Sequence, residues 1–165
     1  MEEIARFRSE NRNLRIGVVA SCFDLMHAGH VLMLKDARER CDVLVAFLQT
    51  DPTVDRPTKN KPILSFKERQ ILVEGCRWVD KIFIYTREAE LYAGLQALEA
   101  DLRILGDDYR GSRFTGDDLP TPIHFHERST HGWSTTKLRK RIYELEKAKA
   151  DVEAKWAGFE EKLEG

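Results

Sequence analysis

Apolar positions along the chain fall into two kinds of run, short continuous ones of strand length and longer ones at helical spacing, and the two kinds alternate. Leu14 to Ala20, Val43 to Leu48, Lys81 to Tyr85, Leu102 to Leu105 and Pro122 to Phe125 predict strands, while Gly29 to Arg40, Ser65 to Gly75 and Arg87 to Ala100 predict the helices between them. Strand and helix in alternation predict an α/β fold on one parallel sheet. Ser65 followed by Glu68 is a capping-box pattern and sets a helix start at Phe66. Two connections are long: Gln49 to Leu64, with three prolines, and Gly106 to Thr121, with three glycines. Loops that follow strands are where an open α/β sheet carries its ligand.

The C-terminal segment has a different period. Leu138, Ile142, Leu145, Val152, Trp156, Phe159 and Leu163 follow alternating steps of four and three, skipping only Lys149, with 8 basic and 7 acidic residues from Lys137 onward around them. Two readings stay open, a long helix packed back on its own domain and a dimerising coiled coil. The expected organisation is a charged extension over residues 1–13, one Rossmann-like domain with a five-stranded parallel sheet over residues 14–142, and a C-terminal helical extension over residues 143–165.

Composition narrows the partners. The 165 residues carry 27 Lys plus Arg against 28 Asp plus Glu, a net charge of -1, so neither the basic excess of a nucleic-acid binder nor an acidic tail is present. No apolar run approaches the roughly 20 residues of a membrane helix, and Met1 to Arg15 is charged throughout, which predicts no membrane partner and a cytoplasmic protein. Cys22, Cys41 and Cys76 are odd in number and lack a CxxC pair, so neither a disulfide framework nor a thiolate zinc site is expected.

The candidate chemistry begins where the first strand ends. Ser21, Cys22, Phe23 and Asp24 lead into His27-Ala28-Gly29-His30 and a helical pattern. A strand that ends in a small-residue turn and feeds a helix aims free N–H groups and a positive dipole end at one point, which suits phosphate. His27 and His30, three apart across Gly29, can both face that point. Between Pro52 and Arg77 six basic residues (Arg56, Lys59, Lys61, Lys67, Arg69, Arg77) stand against three acidic ones, a local excess in a neutral protein. Lys59 and Lys61, in the proline-flanked loop, are placed to swing over a triphosphate. Ser134, Thr135 and Thr136 open the last helix and offer hydroxyls and N–H groups to phosphate, beyond the one needed as cap.

His27-x-Gly29-His30 after Phe23-Asp24 resembles the signature of the HxGH nucleotidyltransferases. Phe66-Lys-Glu-Arg69, Arg77-Trp-Val-Asp80, Gly106-Asp-Asp-Tyr109 and Gly132-Trp-Ser134-Thr135-Thr136 extend the likeness from about Arg15 to Ile142, closest to the glycerol-3-phosphate cytidylyltransferases. The resemblance implies transfer of a cytidylyl group from CTP, with Mg2+, to a small phosphorylated alcohol, giving a CDP-linked product and pyrophosphate in a homodimeric enzyme. It implies that His27, His30, Lys59 and Lys61 are catalytic, that Arg69 and Arg77 contact the acceptor phosphate, and that Ser21, Cys22, Phe23, Asp24, Gly29, Gly106, Asp107, Arg128, Thr130, Gly132, Ser134, Thr135 and Thr136 bind nucleotide. Asp24 is the candidate for orienting a histidine or an Mg2+ carried by the phosphates, and no protein metal site is expected. A surface ion pair of Arg69 with Asp80 or Glu74 is the alternative to its phosphate role.

The chain departs from the family pattern at three places. Ser21 stands where glycine is usual, Cys22 where threonine is frequent, and Arg128-Ser-Thr130-His131-Gly132 replaces a shorter Arg-Thr-Glu-Gly, which puts His131 in the place of an acidic residue. Other chemistries account for less. His124, His126 and His131 cluster as in a metal hydrolase, but two of them alternate on one strand without the third ligand a zinc site needs. A Cys22 nucleophile explains fewer residues still. Within nucleotidyl transfer, Ser134-Thr-Thr136-Lys-Leu-Arg139 also fits the closing motif of adenylyltransferases, so ATP stands as the alternative donor, and a non-catalytic nucleotide-binding or assembly module is a third reading.

Overall fold

The computed structural model describes residues 1–164, with the side chains of residues 129, 157, 158 and 160–164 outside the described set, so that Leu163, the last expected stripe position, is not among them. Five strands, β1 (Ile16–Ser21), β2 (Val43–Gln49), β3 (Lys81–Tyr85), β4 (Leu102–Gly106) and β5 (Ile123–His126), pair in the order β3-β2-β1-β4-β5, all parallel. The helices are α1 (Glu2–Glu10), α2 (Ala28–Arg38), α3 (Phe66–Glu74), α4 (Glu88–Leu98) and α5 (Thr135–Glu164). The expected α/β fold with one five-stranded parallel sheet is therefore present. The strand order reverses between β1 and β4, which opens a crevice at the carboxyl ends of those two strands.

β2 shows why this sequence makes a central strand. Leu44, Ala46 and Leu48 face one layer with Leu34, Ala37 and Val73, and Val45 and Phe47 face the other with Phe83, Leu91 and Leu95. Burial on both faces gives a continuous apolar run instead of an alternating one. Fully burying a side chain such as Phe47 contributes about 1.5–3 kcal/mol. α4 lies close on its ring: a Cβ at Gly94 would stand 2.6 Å from Phe47 Cε1, so the helix can pack at this depth only through glycine. The capping box at Ser65 forms as the sequence predicts, with Ser65 Oγ accepting the Glu68 N–H and Glu68 accepting the Ser65 N–H at 2.8 Å.

Residues 1–13 hold more than a charged extension. α1 buries Ile4 and sets Phe7 edge-on against Phe83, ring centroids 5.7 Å apart, while Arg8 reaches Asp101 at 3.1 Å and Lys81 reaches Glu3 at 2.8 Å. The chain divides into two compact units, residues 1–132 and 133–165, and the expected break after residue 142 lies inside α5, which runs through it without interruption. No described helix is long and apolar enough to cross a membrane.

The N-terminal ends of the strands are tied by carboxylates. Asp42 accepts the Arg15 N–H at 2.8 Å, Asp80 that of Leu44 at 2.7 Å and Asp101 that of Ile16 at 2.8 Å. At the carboxyl ends the tie is a cation. Arg69 is 1% exposed, and its guanidinium donates to the carbonyls of Leu64 (3.2 Å), Cys22 (2.9 Å), Gln49 (2.6 Å) and Thr50. It joins the turn after β1, the end of β2 and the approach to α3.

Arg69→Leu takes the donor from four buried or half-buried carbonyls, and at about 1–3 kcal/mol for each group left without a partner, partly offset by solvent and relaxation, the expected loss is about 3–5 kcal/mol in urea unfolding. Arg69→Lys is expected to restore less than half, because one ammonium cannot span four carbonyls; a loss below 1 kcal/mol in Arg69→Leu would show that the tie is dispensable.

Candidate active site

Between β1 and α2 the backbone reverses twice. Phe23 and Leu25 take left-handed φ values of 51° and 46°, a conformation that side chains of their bulk seldom adopt and that clusters at functional turns. Asp24 lies between them, and its Oδ1 accepts the N–H groups of Ile63 and Leu64 at 3.0 Å each, which fixes the end of the long loop to this turn. Its negative charge is also felt at His30. Ser21 Oγ accepts the Phe23 N–H at 3.3 Å. Burial raises the Cys22 thiol above its ordinary value although Arg69 pulls it down, which is the wrong direction for a nucleophile.

The two histidines start α2. His27 is its N-cap and accepts the Gly29 N–H on Nδ1 at 3.0 Å, while Nδ1 of His30 accepts the His27 N–H at 3.4 Å. Two imidazoles thus make a capping box that serine and glutamate usually make. A ring nitrogen that accepts carries no proton, so the hydrogen-bond network assigns the proton of each neutral ring to Nε2. Burial, then the charges of His27 and Arg128, push His30 from its ordinary 6.5 down to about 3. Burial, then Arg128 and His131, lower His27 as well. At neutral pH the pair presents two uncharged Nε2–H donors, with ring centroids 4.2 Å apart and Phe23 against His30 at 5.7 Å.

β4 and β5 bring further residues to the same edge. Gly106 ends β4, followed by a 3-10 turn at Asp107–Tyr109, and Arg128 pairs with Asp108 at 2.9 Å. A Cβ on Gly106 would stand 2.3 Å from Asp108 Oδ1 and 2.8 Å from Arg128 Cδ, so glycine lets this pair lie across the strand end. Arg128 lowers the basicity of His27, His30 and His131, which places its positive charge among three imidazoles despite its shifted motif. Thr130 Oγ1 donates to the Glu127 carbonyl at 2.8 Å within the turn Arg128–Thr130, and Gly132 takes a positive φ of 66°. In the second unit, Ser134 caps α5, its Oγ accepting the Lys137 N–H at 3.2 Å, and Thr135 and Thr136 form the first turn.

The basic cluster divides. Lys59 and Lys61 are exposed in the loop after β2, whose flanks are fastened by Arg56 to Glu88 at 2.8 Å, Arg87 to Asp55 at 3.2 Å and the Asp24 anchor. Arg69, expected at the acceptor phosphate or in a surface ion pair, is instead buried on backbone carbonyls, because four carbonyls from three segments converge on its guanidinium. Arg77 lies past the end of α3, at the N-terminal edge of the sheet beside Trp78 (4.7 Å to the ring centroid), opposite the edge that holds His27 within this chain. Its helix crosses the full depth of the sheet, which carries it away from the site.

The remaining histidines are organised by a residue the sequence reading did not single out. Asp36 on α2 accepts from His124 Nε2 and His126 Nδ1, each at 2.9 Å, and these bonds with that of Arg40 hold its carboxyl below the ordinary range against the opposing effect of burial. They line a cleft of about 380 Å³ with His131, whose ring lies 5.7 Å from that of His126. Among the described residues no group of three or more His, Cys, Asp or Glu is disposed to hold a metal. The i to i+2 spacing of His124 and His126 was the one sequence signal that a single group would meet both.

A parallel sheet with a histidine-capped helix at the carboxyl end of its first strand is the arrangement that the resemblance to the HxGH nucleotidyltransferases predicts. The chain belongs to the cytidylyltransferase-like family, whose model matches residues 18–141. It is 29% identical over 147 residues to the bifunctional protein HldE of Campylobacter curvus, covering 88% of this chain and 31% of that protein. To the HldE of Wolinella succinogenes it is 33% identical over 144 residues, covering 86% and 30%. The chain therefore spans about a third of the length of these relatives. The crystal structure of a lipopolysaccharide core biosynthesis protein from Thermoplasma volcanium superposes with a TM-score of 0.57 at 21% identity, over 69% of this chain and 99% of that one, a likeness of fold.

Nitrogen-15 NMR at neutral pH is expected to show both His27 and His30 in the Nε2–H form. A folded-state pKa of about 3 for His30 means that between pH 6.5 and 3 the unfolded chain takes up a proton that the folded chain refuses, so stability is full above 6.5 and falls on acidification through that window. His30→Gln should flatten that part of the urea-unfolding profile, and an unchanged slope would count against the assignment.

Proposed function

We propose that the chain transfers a nucleotidyl group from CTP to the phosphate of a small phosphorylated alcohol, glycerol 3-phosphate in the first instance, giving a CDP-linked product and pyrophosphate. The observation that carries this reading is the pair of neutral imidazoles whose Nδ1 atoms are held by backbone N–H groups at the start of α2, leaving the proton on Nε2, within the field of Arg128. An oxygen of the acceptor phosphate attacks the α-phosphorus, the bond from that phosphorus to the bridging oxygen breaks, and pyrophosphate departs with the electron pair. The nucleophile is already an anion, so the reaction asks for positioning and charge stabilisation and needs no general base. His27 and His30 would donate to oxygens on which charge grows in the transition state, with the α2 N-terminus behind them.

The remaining assignments follow the same edge of the sheet. Gly29 lets the triphosphate approach the first turn of α2, and Gly106 with Asp107 meets base and ribose. Lys59, Lys61 and Arg128 neutralise phosphate charge. Ser21, Cys22 and Phe23 shape the turn, and Thr130 and Gly132 add nucleotide contacts; Ser134, Thr135 and Thr136, in the other unit, are assigned to nucleotide by the resemblance alone. Mg2+ would come as a companion of the triphosphate: no ligand cage stands among the described residues, so phosphate oxygens and water would supply most of its coordination, with Asp24, whose Oδ1 accepts two N–H groups, as the candidate protein carboxylate, and the ion would add charge neutralisation.

Adenylyl transfer is the second reading, favoured by Ser134-Thr-Thr136-Lys-Leu-Arg139. Pyrophosphate release measured with CTP or ATP, Mg2+ and a panel of phosphorylated alcohols and sugars separates the two; turnover with ATP alone ends the cytidylyl assignment. His27→Ala and His30→Ala are each expected to slow the step about 100- to 1000-fold, or about 3–4 kcal/mol, with the fold retained. Unchanged pyrophosphate release in His27→Ala would remove the enzyme reading and leave a nucleotide-binding module.

A further inference from the structure

We propose that α5 pairs with α5 of a second copy of this chain as a parallel, in-register, two-stranded coiled coil. The helix is continuous from Thr135 to Glu164, 30 residues or about 45 Å. Its apolar stripe assigns Leu138, Leu145, Val152 and Phe159 to heptad positions d, and Ile142, Lys149 and Trp156 to positions a. Ile142, Leu145, Val152 and Phe159 are all exposed, by 43% to 64%, on a helix that cannot cover its own side chains. Isoleucine at a beside leucine at d favours two strands, and one polar a position fixes register and number of strands at some cost in stability. Lys149 supplies that position, and its ammonium leans outward to Glu153, 3.7 Å away, so the seam can close around its aliphatic stem.

The flanks decide the direction. Positions g carry Arg141, Ala148 and Lys155, and positions e carry Arg139, Glu146 and Glu153; in the sequence the pattern goes on to Glu160 at e and Lys162 at g. In a parallel pair each g residue faces the e residue five places later on the other helix. Arg141 then meets Glu146 of the second copy, twice by symmetry, and Lys155 meets position 160, also acidic. An antiparallel pair with the same seam layers, Ile142 opposite Phe159 and Leu145 opposite Trp156, sets Glu146 against Glu153 and Arg141 against position 162, also basic, each twice by symmetry, and joins opposite signs only where Arg139 meets position 160. Like charges at these distances oppose that arrangement, and opposite charges support the parallel one. The pairing uses none of the residues placed at the nucleotide site, so it stands or falls separately from the proposed chemistry.

Sedimentation of the full chain is expected to give twice the chain mass, reduced to one chain mass in the double variant Leu145→Asp, Val152→Asp. Glu146→Lys should weaken the dimer at least tenfold in dissociation constant, and adding Arg141→Glu should restore it, a rescue that loss of folding cannot imitate. Val152→Cys, opposite its own copy only in the parallel register, should form a covalent dimer under mild oxidation well above the level given by the three native cysteines. A monomeric wild-type chain overturns the proposal, as does a dimer indifferent to the Asp variant. Cross-linking of mixed Lys149→Cys and Val152→Cys chains in place of Val152→Cys alone overturns the parallel direction.

Discussion

The site depends on one buried cation. Arg69 has no carboxylate in its immediate contacts; its charge is spread over carbonyl oxygens of Cys22, Gln49, Thr50 and Leu64, each from a segment that would otherwise leave a polar group without a partner in the interior. A guanidinium is suited to this because it is planar, stays charged and presents five donors in a fixed fork. The β1 and β2 side of the carboxyl edge hangs from it. The turn after β1 that carries Asp24 and leads into His27, the end of β2 and the entry to α3 are held in one frame, and Asp24 then fastens the long loop to that frame through Ile63 and Leu64. The positive field of Arg69 also reaches Cys22 and Asp51.

The sheet is thereby given two unlike edges. At the amino ends, Asp42, Asp80 and Asp101 accept N–H groups of residues at or beside the strand starts. At the carboxyl ends, donors gather: the guanidinium of Arg69, the Nε2–H groups of His27 and His30, and Arg128. Peptide groups of a strand point alternately to its two neighbours, and where the pairing stops at a strand end the last groups need other partners. Here acidic residues accept N–H groups at the amino ends and Arg69 donates to carbonyls at the carboxyl ends, and the helix N-terminus at His27 adds donors of the kind that suit an anion.

The strands and most helices were legible because burial on both faces writes unbroken apolar runs and because Ser65 and Glu68 mark a helix start on their own. His27 and His30 were legible because spacing and position after a strand already imply where they sit. Arg69 was not: a basic residue in a basic stretch reads as a solvated or phosphate-seeking side chain, and the four carbonyls that claim it are brought together only by the fold. Arg77 reads as a neighbour of Arg69 along the chain, yet a helix between them carries it to the far edge. α1 escaped because only Ile4 and Phe7 break a charged stretch, too few positions to show a period. Asp36 carried no signal of its own; its partners, two residues apart on β5, belong to a strand distant in sequence.

The capping box made of histidines has a consequence for ionic strength. Salt weakens attraction between separated charges, with a screening length of about 8 Å at physiological concentration, and acts least on short, desolvated hydrogen bonds. Exposed ammonium groups such as those of Lys59 and Lys61 feel that screening in full. Two neutral imidazoles, their proton positions set by backbone N–H groups, would hold an anion of the proposed kind through dipoles at contact distance. Added electrolyte would then slow the approach of a charged ligand to this edge while leaving these contacts to a seated one nearly intact.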